Sequence, residues 1–404
     1  MSSLEKRQSV LTQLRNLKMA RSAQRYVRGS TVKFYEWLGK AKLPRGPSVW
    51  ICGDCHLGNL GPLADAKGRV AIQIRDLDQT VIGNPVHDLV RLGLSLASAA
   101  RGSDLSGVTT ARILEALVAG YQEALRGDVD RDRAYRPKPI QRALRQSIRR
   151  RWRHLAEERI EDVEPKIPLG DRFWKPMAAE RNAIKELFAQ EHVRAILTRL
   201  KERDSKAEVE LIDTAYWVKG CSSLGRIRFA ALARIGERRD KTYCLVDLKE
   251  GVSAAAPRDK KVDMPRDNAE RVVAGAKALS PNLGQRMLAT RLLDKAVVLR
   301  ELMPQDIKID IDRLARDDAI ALAHYLAGVA GRAHGRQLDP DDRKAWAREL
   351  SKSHGKSLDA PSWLWSSVVD LLAVHEAAYL EHCRRFALAE AGAQAASERM
   401  IPKS

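Results

Sequence analysis

Residues 214–219, 226–235 and 242–249 are three apolar, strand-like stretches that follow one another across turn-like gaps, in a chain whose other periodic segments repeat with a helical period. Strands in succession, with helices before and after, describe an α+β chain. A doubly wound α/β sheet would place a helix after each strand. The order along the chain is a helical stretch over 4–40, a strand at 49–52, a polar loop at 53–61, and a second strand at 70–74. A turn at 83–85 leads into helices over 86–100 and from Thr109 or Thr110 to Gly127. A polar, basic, helix-prone stretch fills 128–210. After the three strands come a short helix at 268–278, two apolar stretches at 286–293 and 296–302, and helices from 313 onward. With 404 residues, and roughly 150 residues per domain, two or three structural units are expected. The texture changes divide the chain into 1–127, 128–209, 210–312 and 313–404.

The most informative local pattern is Gly53-Asp54-Cys55-His56-Leu57-Gly58-Asn59, followed after the next strand by Asp76-Leu77-Asp78. Phosphoryl transfer needs a carboxylate to orient the attacking hydroxyl and accept its proton. It also needs oxygen ligands for the magnesium ions that neutralise the triphosphate. Asp54 and Asn59 supply a base and an amide ligand from one loop, and Asp76 supplies a second carboxylate. Asp78 is a further metal or supporting carboxylate, and His56 sits beside the base. Other readings compete for the same residues. Cys52-Gly53-Asp54-Cys55-His56 satisfies the c-type haem attachment pattern, but haem attachment requires export and an open loop. Zinc binding by Cys52, Cys55 and His56 lacks a further ligand pair at useful spacing. An ordinary turn around a core Asp and His is the plain structural alternative.

The segment resembles the Gly-Asp-x-His-x-x-Asn signature of aminoglycoside phosphotransferases and choline-kinase-like enzymes. In those enzymes the next strand ends in Asp-hydrophobic-Asp, and a helix opens with Gly-x-Pro-x-x-Asp-Leu. Here these pieces are Asp76-Leu77-Asp78 and Gly83-Asn84-Pro85-Val86-His87-Asp88-Leu89. The resemblance implies ATP and Mg²⁺ as cofactors and a kinase-like two-lobed fold. Cys52 stands where kinase loops often carry His.

A kinase also needs a phosphate-cradling loop between two strands and a lysine on the third. Gly220-Cys221-Ser222-Ser223-Leu224-Gly225 lies between the first two strands of the strand-rich stretch, and Lys249 ends the third. Gly220, Ser222, Ser223 and Gly225 would cover the phosphates, Lys249 would contact them, and Glu270 on the next helix would hold Lys249 by an ion pair. Arg300 and Lys308 are placed near the nucleotide. Asp54 lies far upstream of Gly220, the reverse of the usual kinase order. A circular permutation with extra helices accounts for this, because domain termini often lie close together. The late helix ending at Ala333-His334 resembles the one that ordinarily precedes the catalytic strand. Taken whole, the chain resembles an uncharacterised bacterial domain-of-unknown-function family (DUF2252-like). The shared pieces are Arg28-Gly29, the two aspartate motifs, a Pro-x-x-Asp-x-x-Arg-Leu helix at 85–92, the 220–225 loop, and Arg300, Leu302 and Lys308.

The formal charge is +19, which favours polyanions without choosing among them. Much of it is local: residues 131–155 carry ten Lys/Arg and one Asp, with Trp152 inside the run 149–153. This arm is either a solvated helix face or a docking site for nucleic acid or another polyanion. His375-Glu376-Ala377-Ala378-Tyr379 lacks the second His of a zinc helix and reads as an amphipathic surface feature. Five cysteines are too few for a disulfide scaffold and read as thiols. No stretch approaches the ~18 apolar residues of a membrane span, and the N-terminus lacks a signal-peptide core. A cytoplasmic protein is expected. Two functions follow: an ATP- and Mg²⁺-dependent phosphotransferase with an unknown phosphoryl acceptor, or a nucleotide- or polyanion-binding protein without turnover.

Overall fold

The computed structural model describes residues 3–127, 136–150, 166–200, 203–219, 224–236, 242–309, 315–352 and 361–399. The first helical stretch is three helices: α1 (Ser3–Ala20), α2 (Ala23–Gly29) and α3 (Thr31–Leu38). Ser22 caps α2 through its side chain, which is why the expected single run breaks there. The strand–loop–strand unit becomes four short strands: β1 (Val49–Ile51), β2 (Leu60–Ala64), β3 (Val70–Ile74) and β4 (Val81–Gly83). β1 pairs with β4 and β2 with β3, both antiparallel. β2 and β4 carry Gly or Pro and run too briefly for a period-2 signal, so sequence reading assigns them to loop and turn. α4 (Val86–Arg101) and α5 (Gly107–Arg126) follow, α5 capped by the Ser106 side chain rather than by Thr109 or Thr110.

The 128–209 stretch contributes α6 (Lys138–Arg149), β5 (Phe173–Trp174), α7 (Ala178–Phe188) and α8 (Glu191–Thr198). Next come β6 (Val209–Trp217), β7 (Arg228–Ile235), β8 (Thr242–Glu250), α9 (Asn268–Leu279), α10 (Pro281–Gly284), β9 (Met287–Leu292) and β10 (Lys295–Glu301). The chain closes with α11 (Arg316–Gly335), α12 (Pro340–Ser351) and α13 (Ser362–Arg399). The principal sheet is antiparallel throughout, in the order β5-β6-β7-β8-β10-β9. The chain is therefore α+β, as its element order requires.

One apolar core lies among α4, α5 and α11, built on Leu89, Leu92, Leu117, Leu322 and Leu326. Another backs the sheet against α7 and α8 through Phe229, Val246, Leu187 and Val193. His375 faces inward, nearly fully buried, with Nδ1 on the Leu371 carbonyl. The surface reading of that segment holds for Glu376, which pairs with Arg101, but not for His375. Among the described residues no helix is long and apolar enough to cross a membrane.

Candidate functional site

α4 is apolar on nearly every side, and the exceptions fix the site. Asp88, Arg91 and Ser95 are buried and spaced by three and four residues, so they share one helix face. All three bind the loop that leaves β1. Asp88 accepts from the Cys52 and Gly53 amides at 2.7 and 2.9 Å, Arg91 Nε donates to Asp54 Oδ1 at 2.9 Å, and Ser95 Oγ accepts from the Leu57 amide at 3.1 Å. Asp88 is held in turn by His334 Nε2 at 3.1 Å, and His334 Nδ1 meets the Tyr121 hydroxyl at 2.9 Å. The late helix thus reaches back to the early loop through His334.

Gly53 is required at the bend. Its φ is +73°, and a Cβ there would lie 2.1 Å from the Gln79 carbonyl oxygen. The Tyr35 hydroxyl donates to the Gly53 carbonyl at 2.5 Å. The Asp54 carboxylate, 19% exposed, is shared between fully buried Arg91 on Oδ1 and the Thr31 hydroxyl on Oδ2, at 3.2 Å. His56 Nε2 stands 3.9 Å from Asp54 Oδ2, and burial pushes the imidazole pKa down to about 4, so the ring is neutral at pH 7. Arg28 lies over the same loop, where a Cβ on Gly58 would come 2.8 Å from its guanidinium carbon.

Asn59 joins this loop to the second aspartate motif. Its Nδ2 donates to the Asp54 and Asp76 carbonyls at 3.2 and 2.7 Å, and its Oδ1 accepts from the Asp76 amide at 2.7 Å. Arg271 of α9 clamps the other side, donating to the carbonyls of Asp78 (3.0 Å), Val252 (2.7 Å) and Thr80.

The sheet brings the distant segment. Asp247 and Lys249 alternate on β8 and face the same way, with Arg228 opposite Lys249 on β7 and Arg300 opposite Asp247 on β10. Buried Asp247 accepts from Arg228 Nη2 at 2.6 Å and Arg300 Nη2 at 3.4 Å. Lys249 crosses to the aspartate motif, 173 residues away, with Nζ 3.2 Å from Asp76 Oδ1 and 2.5 Å from Asp78 Oδ2. Desolvation within the cleft acts to raise the pKa of Asp76, but the charges of Lys249, Arg300 and Arg228 outweigh it and hold the carboxyl below the ordinary range. Asp78 is raised, by burial first and by the adjacent Asp76 charge second. The Asp76 side chain is 57% exposed, so water screens its pair with Lys249 and the contact stabilises the fold little. These residues, with Arg75, Leu283 and Met287, line a narrow cleft of about 40 Å³.

The structure therefore joins Asp54, His56, Asn59, Asp76, Asp78 and Lys249 through direct contacts, and brings Arg300 into the same cleft through Asp247. It does not join Glu270 to them. Asp267 caps α9 so that Arg271 turns inward and Glu270 outward, and Lys249 pairs with Asp76 and Asp78 instead. Lys308 lies exposed after β10, outside the cleft lining. Gly225, with φ +91°, lies in the turn before β7, whereas Gly220, Ser222 and Ser223 lie outside the described residues, as do 131–135 and 151–155 of the basic arm.

Among the described residues, no group of three or more His, Cys, Asp or Glu side chains is arranged to hold a metal ion. Cys52 and Cys55 are fully buried, which closes both thiols to a haem. Asp88, Arg91, Thr31, Arg228, Asp247 and Arg271 were not singled out individually by sequence reasoning. The signal for the α4 residues was present as a polar stripe along an otherwise apolar helix. Arg228 and Asp247 were signalled by charge in strands too apolar to face solvent.

Residues 7–385 match the family described as uncharacterized protein conserved in bacteria (DUF2252). No curated protein and no solved structure matches the chain.

Proposed function

The chain belongs to this uncharacterised bacterial family, and from that premise and the cleft we propose that it is an ATP- and Mg²⁺-dependent phosphotransferase with a kinase-like, two-lobed, circularly permuted active site. One observation carries the reading: the Lys249 ammonium is shared between Asp76 and Asp78, while Asn59 ties Asp76 to the loop bearing Asp54. A base, two carboxylates and a strand-borne lysine are the parts phosphoryl transfer needs in one place.

Two carboxylates suit magnesium, which binds through one or two carboxylates together with substrate phosphates and water. Asp76 and Asp78 would hold it, and it would supply charge neutralisation to the phosphates. Lys249 already stands where a cation is favoured, so it serves as internal counter-ion to the pair. Were Asp76 and Asp78 to hold a magnesium ion, Lys249 and Arg300 would supply positive charge to the phosphates from the same cleft. The cleft is far below the ~300 Å³ of a small-molecule site, so nucleotide entry requires the Lys249 bridge to open. Asp54, oriented by Arg91, is the base. Asn59 serves first as the brace between the two loops, since both ends of its amide are engaged there.

The test is a melting assay with Mg-ATP. Mg-ATP is expected to stabilise wild type well beyond Mg²⁺ alone, and Lys249→Met much less beyond Mg²⁺ alone. An unshifted wild type, or an equal shift in the variant, removes the reading.

Binding without turnover has its own observation. On α6, Lys138, Arg142, Arg145 and Arg149 are all exposed along one face, and that helix carries no acidic residue. Such a stripe suits a polyanion, and a nucleic acid bound there would dissociate steeply with salt. If Asp54→Asn abolishes a measured phosphoryl transfer, binding alone is insufficient.

A further inference from the structure

Among the described residues, Thr31 is the hydroxyl that donates to the Asp54 carboxylate, at 3.2 Å on Oδ2. Asp54 Oδ1 is occupied by Arg91, and the Asp54 backbone is fixed through Asn59 and the Asp88-bound amides, so Oδ2 is the oxygen left to take a proton. A general base must lie within hydrogen-bond reach of the proton that it removes, and Thr31 Oγ1 meets that condition before any substrate arrives.

We propose that Thr31 is an intramolecular phosphoryl acceptor, so that the protein phosphorylates its own Thr31. This rests on the phosphotransferase reading of the cleft and deepens it by naming the acceptor. In the step, a bond forms between Thr31 Oγ and the γ-phosphorus of ATP. The bond from that phosphorus to the β–γ bridging oxygen breaks, and its electron pair leaves with ADP. The hydroxyl proton passes to Asp54 Oδ2 and then to water.

Against the repulsion of the Asp54 carboxylate, the surroundings offer the product positive charge. Thr31 is the first residue of α3, whose N-terminus has no side-chain cap and no acidic residue in its first turn. A phosphate there meets unpaired backbone N–H groups and the positive end of the helix. Arg91 is fully buried, and its Nη1 has no hydrogen-bond partner. Arg28, over the same loop, adds a second guanidinium. Thr31 is 7% exposed and its hydroxyl already touches this chain's own base, so the transfer runs within one chain once the cleft opens to admit the nucleotide.

The experiment uses the full chain with Mg-ATP. Intact mass and peptide mapping are followed over time, with nucleotide binding read in parallel by melting. One added phosphoryl group on Thr31, at a rate unaffected by protein dilution, is expected. Thr31→Ser should still be modified, and Thr31→Val and Asp54→Asn should not. Phosphate already on Thr31 in purified wild type but absent from Asp54→Asn counts as the same result. If Mg-ATP stabilises the protein while Thr31 stays unmodified, or another residue takes the phosphate, the acceptor assignment is overturned and the cleft reading stands. If Mg-ATP gives no stabilisation, both fall.

Discussion

Asp54 and the Asp76–Asp78 pair sit on neighbouring loops joined by one asparagine, yet their charges are neutralised by different means. Asp54 is held by Arg91, which is fully buried on an internal helix, and its backbone by Asp88, itself held by His334. Asp76 and Asp78 share one lysine at the cleft mouth, on a strand from a distant part of the chain. A guanidinium with its own buried carbonyl acceptor, Val27, cannot leave without stranding that group. An ammonium with 15% exposure has water as an alternative partner. The first arrangement fixes a direction in space, which suits a base. The second leaves its cation within reach of water, which under the proposed function suits a metal–phosphate site. Each prediction below breaks one half of that contrast and leaves the other in place.

The largest effect is expected at Asp88. Asp88→Ala strands two buried amide donors and a buried imidazole, and loss of one partner from a buried charged network typically costs about 3–5 kcal/mol. Urea unfolding at pH 7 checks this. A loss below about 1 kcal/mol, the value for a surface contact, would show that the loop is not anchored there.

Acid should loosen the fixed half next. Burial pushes His56, His87 and His375 each to about 4. In the unfolded chain these rings titrate near 6.5. Above that pH both states are neutral and the groups do not affect folding. As pH falls from about 6.5 to about 4, the unfolded state takes up protons that the folded state refuses. Stability is lost across that window, at most on the order of 3 kcal/mol per ring. His375→Gln should flatten the slope of unfolding free energy against pH between 6.5 and 4.5. An unchanged slope would mean that the folded protein takes up a proton at His375 as readily as the unfolded chain does.

A smaller but local effect belongs to Gly53. Gly53→Ala costs about 1–3 kcal/mol for the left-handed φ alone, and its methyl group also has to push the Gln79 carbonyl aside. Because the bend carries Asp54 and not Lys249, any phosphoryl transfer should fall much more than Mg-ATP stabilisation does. Equal losses would mean that the two halves move as one.

The strand and helix order was readable in the chain because long elements keep their period. Val70–Ile74, the helix from Val86 and the strand ending at Ile235 stand where periodicity puts them. β2 and β4 were not readable, since three to five residues bearing Gly or Pro give no period. At the site, Asp54, Asn59, Asp76, Asp78 and Lys249 were legible as residue types that one chemistry requires. Glu270 shows the limit of such reasoning: a one-residue rotation of a helix, set by where Asp267 caps it, decides whether Glu270 or Arg271 faces in. The supports were illegible for a different reason. Asp88 and Arg91 stood in the quoted 85–92 pattern, but their partners, two loop amides and the Asp54 carboxylate, are delivered by tertiary structure that no spacing in the sequence announces.

Lys249→Met should change folding stability least, because the lysine's pair with Asp76 is screened and only its pair with the less exposed Asp78 is lost at a cost. Its consequence lies in what the carboxylates then attract. With the ammonium gone, Asp76 and Asp78 repel each other, so a divalent cation alone should stabilise the variant more than it stabilises wild type. Mg-ATP should lose at least ~10-fold in affinity, about 1.4 kcal/mol, because no lysine remains for the phosphates. Calorimetric titration of both proteins with Mg²⁺ and with Mg-ATP separates the two terms. Tighter Mg²⁺ with weaker Mg-ATP is the outcome required if Lys249 is an exchangeable counter-ion. A parallel loss of both would mean instead that the lysine is a structural strut, and the contrast between the two halves of the cleft would disappear.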